Sequence, residues 1–304
     1  MHSTNNALLV VGSIAFDTIE TPAGGVEKAV GGSAVYASIA ASYFIRPMVV
    51  GVVGEDFGDE HFGMLDDRDI DTRGIERAPG ETFHWKGRYH ENLKDRDTLA
   101  TCLNVFESFN PKIPDDYRGC RYLFLGNIDP VLQARVLDQV GETALVGMDT
   151  MNFWIKNAPD ALRAVMKRID VLFINDEEAI ELSGETSVLK ASKRILELGP
   201  RYLVIKRGEY GALLFGDDTC LSVPGILLSG VVDPTGAGDT FAGGFCGYVA
   251  SQNAVDRRTL AKALMAGTAM ASFAVEGFSV DMLLDLDERR LGERLEQLEA
   301  MMRF

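Results

Sequence analysis

Apolar and polar positions along the chain follow two patterns. Short, nearly continuous apolar runs of strand length occur at Ala7–Val11, Met48–Val53, Tyr122–Leu125, Ala144–Met148, Val171–Ile174 and Tyr202–Ile205. Runs with so few polar interruptions suit parallel strands covered on both faces. Between them lie helix-like stretches at Ser33–Phe44, Phe57–Asp69, Val131–Val140, Pro159–Arg168, Asp176–Ser183 and Ser187–Leu198. The chain then turns helical at Gly238–Ser251, Arg258–Phe273 and Asp287–Met302, the last a charged amphipathic helix with Leu291, Leu295 and Leu298 inward. This alternation predicts an α/β fold with a doubly wound, mainly parallel sheet flanked by helices.

Thr82–Phe106 breaks the rhythm. It reads as strand, polar turn, strand, with Phe83, Trp85 and Tyr89 recurring on an otherwise polar excursion. Such aromatics need something to cover, so the expectation is a small β-sheet lid over a ligand crevice. The lid is expected mainly from about 82–106 with a segment near 14–30. No linker-like stretch or internal repeat divides the chain, so 1–304 reads as one domain carrying that lid.

Composition narrows the function. With 46% apolar and 25% charged residues, the chain has ample material for a core. A formal net charge of −15 argues against a nucleic-acid binder. A nucleotide ligand would have to be met by local donors and a metal, not by the global field. No run of about 18 apolar residues suggests a membrane span. The first 27 residues hold no Lys or Arg, which argues against a targeting segment. The four cysteines are scattered without a C-x-x-C pair, as expected of a cytoplasmic protein with neither a disulfide framework nor a structural zinc. His84 and His90 lack further ligands at suitable spacing for a metal site, and Asp56-Phe57-Gly58 stands without the other parts of a protein-kinase signature.

The most informative stretch is Asp233-Pro-Thr-Gly-Ala-Gly-Asp-Thr-Phe-Ala-Gly-Gly-Phe245. It follows the apolar run Gly225–Val232, read as a strand, and opens a helix. Gly236, Ala237 and Gly238 would expose consecutive backbone N–H groups at a helix N-terminus, an anion site that needs no Lys or Arg. Asp239 follows in the first turn. A carboxylate there can cap the helix, or it can accept the proton of an attacking hydroxyl in phosphoryl transfer. Spacing alone leaves both open.

This stretch resembles the C-terminal signature of the ribokinase-like, PfkB-type sugar and nucleoside kinases, and other features agree in order over roughly residues 8–280. The resemblance implies an ATP-dependent transfer of the γ-phosphoryl group to a primary hydroxyl of a sugar or ribonucleoside. Asp239 would be the general base, with the amides of Gly236, Ala237 and Gly238 holding the developing charge. On the acceptor side it implies Asp17 at the end of the first motif, the hinge glycines Gly31 and Gly32, Tyr36 where relatives often carry Asn, and Asn127. Tyr36, Phe83 and Trp85 would suit stacking on a base. Asn175 and Glu178 resemble the N-x-x-E motif, whose Glu organises Mg²⁺ through water; an acidic helix start gives the same pattern. Lys206, Gly208 and Gly211 match a nucleotide-side loop in which Thr often replaces Lys206, whose ammonium could still reach a phosphate as a point charge. Asp233 and Thr235 would offer oxygens to a monovalent cation, usually K⁺. One motif departs: the family's D-x-N-x-R is here Asp149-Thr150-Met151-Asn152-Phe153-Trp154, without the Arg. The implied ligands are thus ATP, Mg²⁺, K⁺ and a sugar or nucleoside, with no nucleic acid and no membrane, in a monomer or homodimer. The alternative is a catalytically silent sugar- or nucleotide-binding protein on the same fold.

Overall fold

Leu8, Leu9, Val10 and Val11 have no exposed surface. Leu8 and Val10 point into one hydrophobic core, and Leu9 and Val11 into another on the opposite face. Two-sided burial is why this run is continuous instead of alternating. In the computed structural model, which describes residues 7–217 and 219–303, these residues form an interior strand of a nine-stranded sheet.

In chain order the strands are β1 (Leu8–Val11), β2 (Ala15–Thr21), β3 (Gly24–Gly31), β4 (Pro47–Val53), β5 (Asp71–Arg77), β6 (Phe83–Tyr89), β7 (Arg96–Cys102), β8 (Tyr122–Leu125), β9 (Leu145–Asp149), β10 (Val171–Asn175), β11 (Tyr202–Lys206), β12 (Ala212–Gly216) and β13 (Thr219–Val223). The helices are α1 (Ser33–Ser42), α2 (Asp59–Asp66), α3 (Pro130–Leu137), α4 (Asn152–Asn157), α5 (Pro159–Met166), α6 (Asp176–Ser183), α7 (Val188–Leu196), α8 (Ala237–Gln252), α9 (Arg257–Ala274), α10 (Asp281–Leu284) and α11 (Glu288–Met302). Among the described residues, no helix is long and apolar enough to cross a membrane.

The large sheet has the order β13-β12-β11-β10-β9-β8-β1-β4-β5. Neighbours from β11 to β5 are parallel, and β12 and β13 add an antiparallel edge. Helices α1, α8 and α9 contribute to the core on one face, and α3, α5, α6 and α7 to the core on the other. The chain winds outward from β1 through β4 to β5 and then returns to β8 on the far side of β1. Such a reversal opens a crevice outside the carboxyl ends of the strands. Gly12, Asn127, Asp149, Asn175 and Lys206 stand at or just after strand ends on that side.

A second sheet, in the order β3-β2-β6-β7, joins residues 15–31 to residues 83–102. Its middle is a parallel pairing of β2 with β6, supported by a 2.9 Å hydrogen bond between Thr18 Oγ1 and His84 Nε2. The small sheet joins the main body through a pinned turn. The Ser13 and Ser33 hydroxyls each accept the other residue's backbone N–H at 3.1 Å.

Two expectations need correction. Gly225–Val232 is not a strand but irregular backbone. Pro224 cannot donate to a ladder, Gly225 and Gly230 weaken one, and Leu227 is 80% exposed although Ile226 is buried. Phe83, expected as a stacking surface for a ligand, is taken up in packing. Its ring stacks on Phe106, which stacks in turn on Phe109. Strands β5, β12 and β13 were not expected; β5 (Asp-Thr-Arg-Gly-Ile-Glu-Arg) is a polar edge strand whose composition hides it.

The closest helix contact on the crevice side is between α1 and α8. A Cβ on Gly243 would collide with the Ala37 backbone, and one on Gly247 would come within 2.8 Å of the Ala41 Cα. The absence of side chains there lets the two helices lie backbone to backbone, with their N-termini together at the crevice. Gly243→Ala should therefore destabilise the protein by about 1–3 kcal/mol through overpacking. Helix propensity alone predicts a gain of about 0.5–1 kcal/mol. Denaturant unfolding of the variant decides the sign.

Candidate active site

Helix α8 begins beyond a tight turn. Gly236, its N-cap, has φ 74°, the left-handed region, and a Cβ there would run into the Tyr36 ring. Asp233 Oδ1 accepts the Thr235 N–H at 2.9 Å, and the Ala237 N–H donates to the Pro234 carbonyl at 3.3 Å. The N–H groups of Gly238 and Asp239 open the helix without intrahelical acceptors. These amides and the helix dipole favour an anion at this spot.

Carboxylates crowd the same place. Burial, with Asp149 adding to it and Lys206 opposing it, pushes the half-buried Asp239 up to about 7. Asp17 is buried, and burial followed by the Asp233 and Asp239 charges pushes it up to about 7 as well. Asp17 and Asp239, far apart in sequence, thus face one another electrostatically across the crevice. Gly31 lies so close beneath Asp17 that a Cβ would overlap the carboxyl group. Gly32, with φ 94°, has no room for one against Ser13 and Ala15. Asp233 is 1% exposed, its Oδ2 has no hydrogen-bond partner among the described residues, and burial raises it despite the pull of Thr235 and of the Ser279 N–H.

Tyr36 lies beneath this turn. It is 1% exposed and its ring packs against Gly236, so it is not presented as a flat stacking surface. Its buried hydroxyl has no hydrogen-bond partner; burial, followed by the nearby charges of Asp17, Asp233 and Asp239, raises it. Asn127 is comparable, with Oδ1 buried and unpartnered at the end of β8.

On the other side of the crevice, Lys206 Nζ bonds Asp149 Oδ2 at 2.6 Å, with both side chains largely buried. The ammonium also lies 2.8 Å from where a Cβ on Gly238 would stand, against the start of α8. Burial pulls Lys206 down, but Asp149 and Glu178 outweigh it and the group is raised and charged. Asn175 and Glu178 form a capping box on α6. Asn175 Oδ1 accepts the Glu178 N–H at 2.7 Å, and Glu178 Oε2 accepts the Asn175 N–H at 2.8 Å. Burial, opposed by Lys206, pushes Glu178 up to about 7. Its Oε1 remains outside the cap. The loop that follows β11 turns at Gly208 (φ 54°) and Gly211 (φ 83°), both in the left-handed region.

The structure thus gathers Asp17, Tyr36, Glu178, Lys206, Asp233, Thr235 and Asp239 around one crevice. Asp149 is the member that sequence reasoning passed over. It appeared only as part of a departing motif, yet it ends the buried strand β9 with a carboxylate; Asp17, expected at the end of the first strand, lies instead within β2 of the small sheet. Tyr89 was noted only as a lid aromatic, but its hydroxyl meets that of Thr235 at 3.1 Å.

Comparison with known proteins bears on the family and the fold. Residues 5–284 match the family described as pfkB family carbohydrate kinase. The cytidine kinase of Thermococcus kodakarensis is 31% identical over 251 residues, covering 79% of this chain and 88% of the relative. The nucleoside kinase of Methanothermobacter thermautotrophicus is 27% identical over 310 aligned positions, covering 90% and 91%. Among solved structures, ribokinase from Giardia lamblia superposes with a TM-score of 0.81 over 97% of this chain and 99% of that one; at 17% identity the likeness is one of fold.

The raised carboxylates have a consequence for stability. An Asp whose pKa is near 3.8 unfolded and about 7 folded disfavours the native state once it ionises. That penalty is absent below the unfolded value, grows as pH rises between the two, and is complete above the folded one. Asp239→Asn should raise Tm at pH 8 by about 2–6 °C, with the difference shrinking toward zero near pH 4. Calorimetry of both proteins across that range checks it; a less stable variant at pH 8 would contradict it.

Proposed function

From the premise that the chain belongs to the PfkB family of carbohydrate kinases, and is a phosphotransferase, we propose that it moves the γ-phosphoryl group of ATP to the 5′-hydroxyl of a ribonucleoside. The observation that supports this reading is Asp239 in the first turn of α8, near enough to the buried Asp17 for its charge to raise that carboxyl. The relatives named for cytidine and nucleoside substrates favour a nucleoside over a free sugar.

In this reading Asp17 accepts hydrogen bonds from acceptor hydroxyls, with the Tyr36 hydroxyl and Asn127 as further polar contacts. Gly31 and Gly32 leave room for the Asp17 carboxyl and the Ser13–Ala15 backbone, and their conformational freedom allows the small sheet to move as a lid. Asp239 takes the proton of the attacking hydroxyl. Pushed up to about 7, it is a stronger base than a free carboxylate and lies close to neutral pH, as suits a general base. The N–H groups of Gly236 and Gly238 and the α8 dipole stabilise the charge on the transferred group, whereas the Ala237 N–H is engaged by the Pro234 carbonyl. Lys206 lies against the same turn and shifts from Asp149 toward the phosphates, beside the loop of Gly208 and Gly211 and the Asn175 amide. The donor set suits the cations implied by the family: Glu178 keeps one oxygen clear of its cap for the hydration shell of Mg²⁺, and the unpartnered Asp233 Oδ2 with Thr235 suits K⁺. Mg²⁺ would neutralise phosphate charge there. Closing the small sheet excludes water as a competing acceptor.

ADP release should be measured with MgATP and K⁺ against cytidine, adenosine, inosine, guanosine, ribose and fructose. Turnover is expected on a nucleoside, and Asp239→Asn should lower kcat by about 10²–10⁴-fold. Turnover on free sugars alone would move the acceptor class, and tight binding with no transfer on any acceptor would leave a silent binding protein.

A pair of substitutions separates chemistry from capping. Glu178→Gln keeps an oxygen for the Asn175 N–H and loses only the charge, so the Mg²⁺ concentration for half-maximal rate should rise with no loss of Tm. Glu178→Ala should additionally lose stability, about 0.5–2 kcal/mol, with the cap. Equal Mg²⁺ dependence in Glu178→Gln and wild type would remove Glu178 from the metal site.

A further inference from the structure

The small sheet reaches the phosphoryl-transfer turn through one side chain. Tyr89 ends β6 and is only 6% exposed, although most of β7 beside it is open to solvent. The Thr235 hydroxyl donates to the Tyr89 hydroxyl oxygen at 3.1 Å. Thr235 is also held from behind, its N–H bonded to Asp233 Oδ1 at 2.9 Å. Among the described residues Asp233 Oδ2, buried beside it, makes no full hydrogen bond, although the Ser279 N–H lies near enough to lower the carboxyl. The tip of the same hairpin touches the nucleotide-side loop, with Lys94 Nζ 3.9 Å from Glu209 and 5.6 Å from the Tyr210 ring centroid. The hairpin therefore spans the crevice from the anion turn to that loop.

We propose that Tyr89 is a positioning residue that makes the cation-binding state of the 233–235 turn conditional on closure of the small sheet. The inference rests on the kinase reading of that turn. Its chemistry is the inventory of a hydroxyl group, which has one proton and two lone pairs. While the Thr235 proton is committed to Tyr89, the Thr235 oxygen has only lone pairs to offer its other neighbours. It then stands beside the unpartnered Asp233 Oδ2 as a second oxygen ligand for a monovalent cation. When the sheet lifts, Tyr89 leaves with it. The Thr235 hydroxyl is then free to rotate its proton fully toward Asp233, where it competes with a cation for the carboxylate oxygen and weakens the ligand pair. By reciprocity, a cation that requires the closed sheet also favours closure, and so tightens the hold on the acceptor beneath it.

Trp85 provides a reporter on the moving sheet. The chain has two tryptophans, so Trp154→Phe leaves Trp85 alone. In that background, KCl would be titrated at constant ionic strength against tetramethylammonium chloride while Trp85 fluorescence is followed. The comparison covers Tyr89→Phe, Thr235→Val and the double variant. Tyr89→Phe removes one oxygen atom and keeps the ring, and Tm checks that the fold is intact. A saturable response to K⁺ is expected, with the midpoint raised about three- to tenfold in Tyr89→Phe, the span of one hydrogen bond. The double variant should be no worse than the more affected single one, because both remove the same interaction. Rescue of the midpoint is not expected from Tyr89→Leu, which keeps neither ring nor hydroxyl. An unchanged midpoint in Tyr89→Phe, additive effects of the two substitutions, or no K⁺ response in the parent would each overturn the proposal. Absence of phosphoryl transfer across the acceptor panel would instead overturn the kinase reading, and the K⁺ titration distinguishes the two failures because it needs neither ATP nor turnover.

Discussion

The site depends first on how closely α1 and α8 approach. Gly243 and Gly247 face Ala37 and Ala41 with no side chain between the backbones. That contact sets the two helix N-termini side by side. One is preceded by Gly31-Gly32, where the chain leaves the small sheet, and the other by the 233–236 turn. Tyr36, one turn into α1, fits its ring against Gly236 at the start of α8. The hinge of the small sheet and the anion turn are thus two ends of a single packed unit. A shift between the helices would misplace both together, which gives packing far from the reacting atoms direct authority over them.

Onto that rigid frame the protein places charges that oppose its own folding. Asp17, Glu178 and Asp239 are each pushed up to about 7, chiefly by burial. Lys206 compensates part of the cluster and is itself bound to Asp149. The remaining excess of negative charge is what a metal ion and a bound nucleotide's counter-charges are suited to meet. Structural and functional demands conflict here, and the well-packed cores on both faces of the sheet hold the conflict in place.

Much of this was legible in the chain. Continuous apolar runs located every interior parallel strand because two-sided burial writes itself directly into composition. The glycine turn and Asp239 were legible because backbone exposure at a helix start demands small residues. What escaped depends on partners distant in sequence. The polar strand β5 carries no periodic signal, since an edge needs no second apolar face. Gly225–Val232 is apolar enough for a strand, but its glycines and the preceding proline leave it irregular. Tyr36 looked like a stacking surface because its helix face could not be assigned without knowing that Gly236 would lie against it. Asp149 acquires its meaning only from Lys206 on another strand, and Tyr89 only from Thr235.

The capping box on α6 has a different implication, one for descent. Asn175 and Glu178 stabilise a helix end whether or not a metal ever binds, so a lineage that abandoned catalysis would still be held to them by folding. When sequences of this architecture are sorted into active enzymes and retired ones, an intact Asn-x-x-Glu is therefore weak testimony, because the helix end alone is reason enough to keep it.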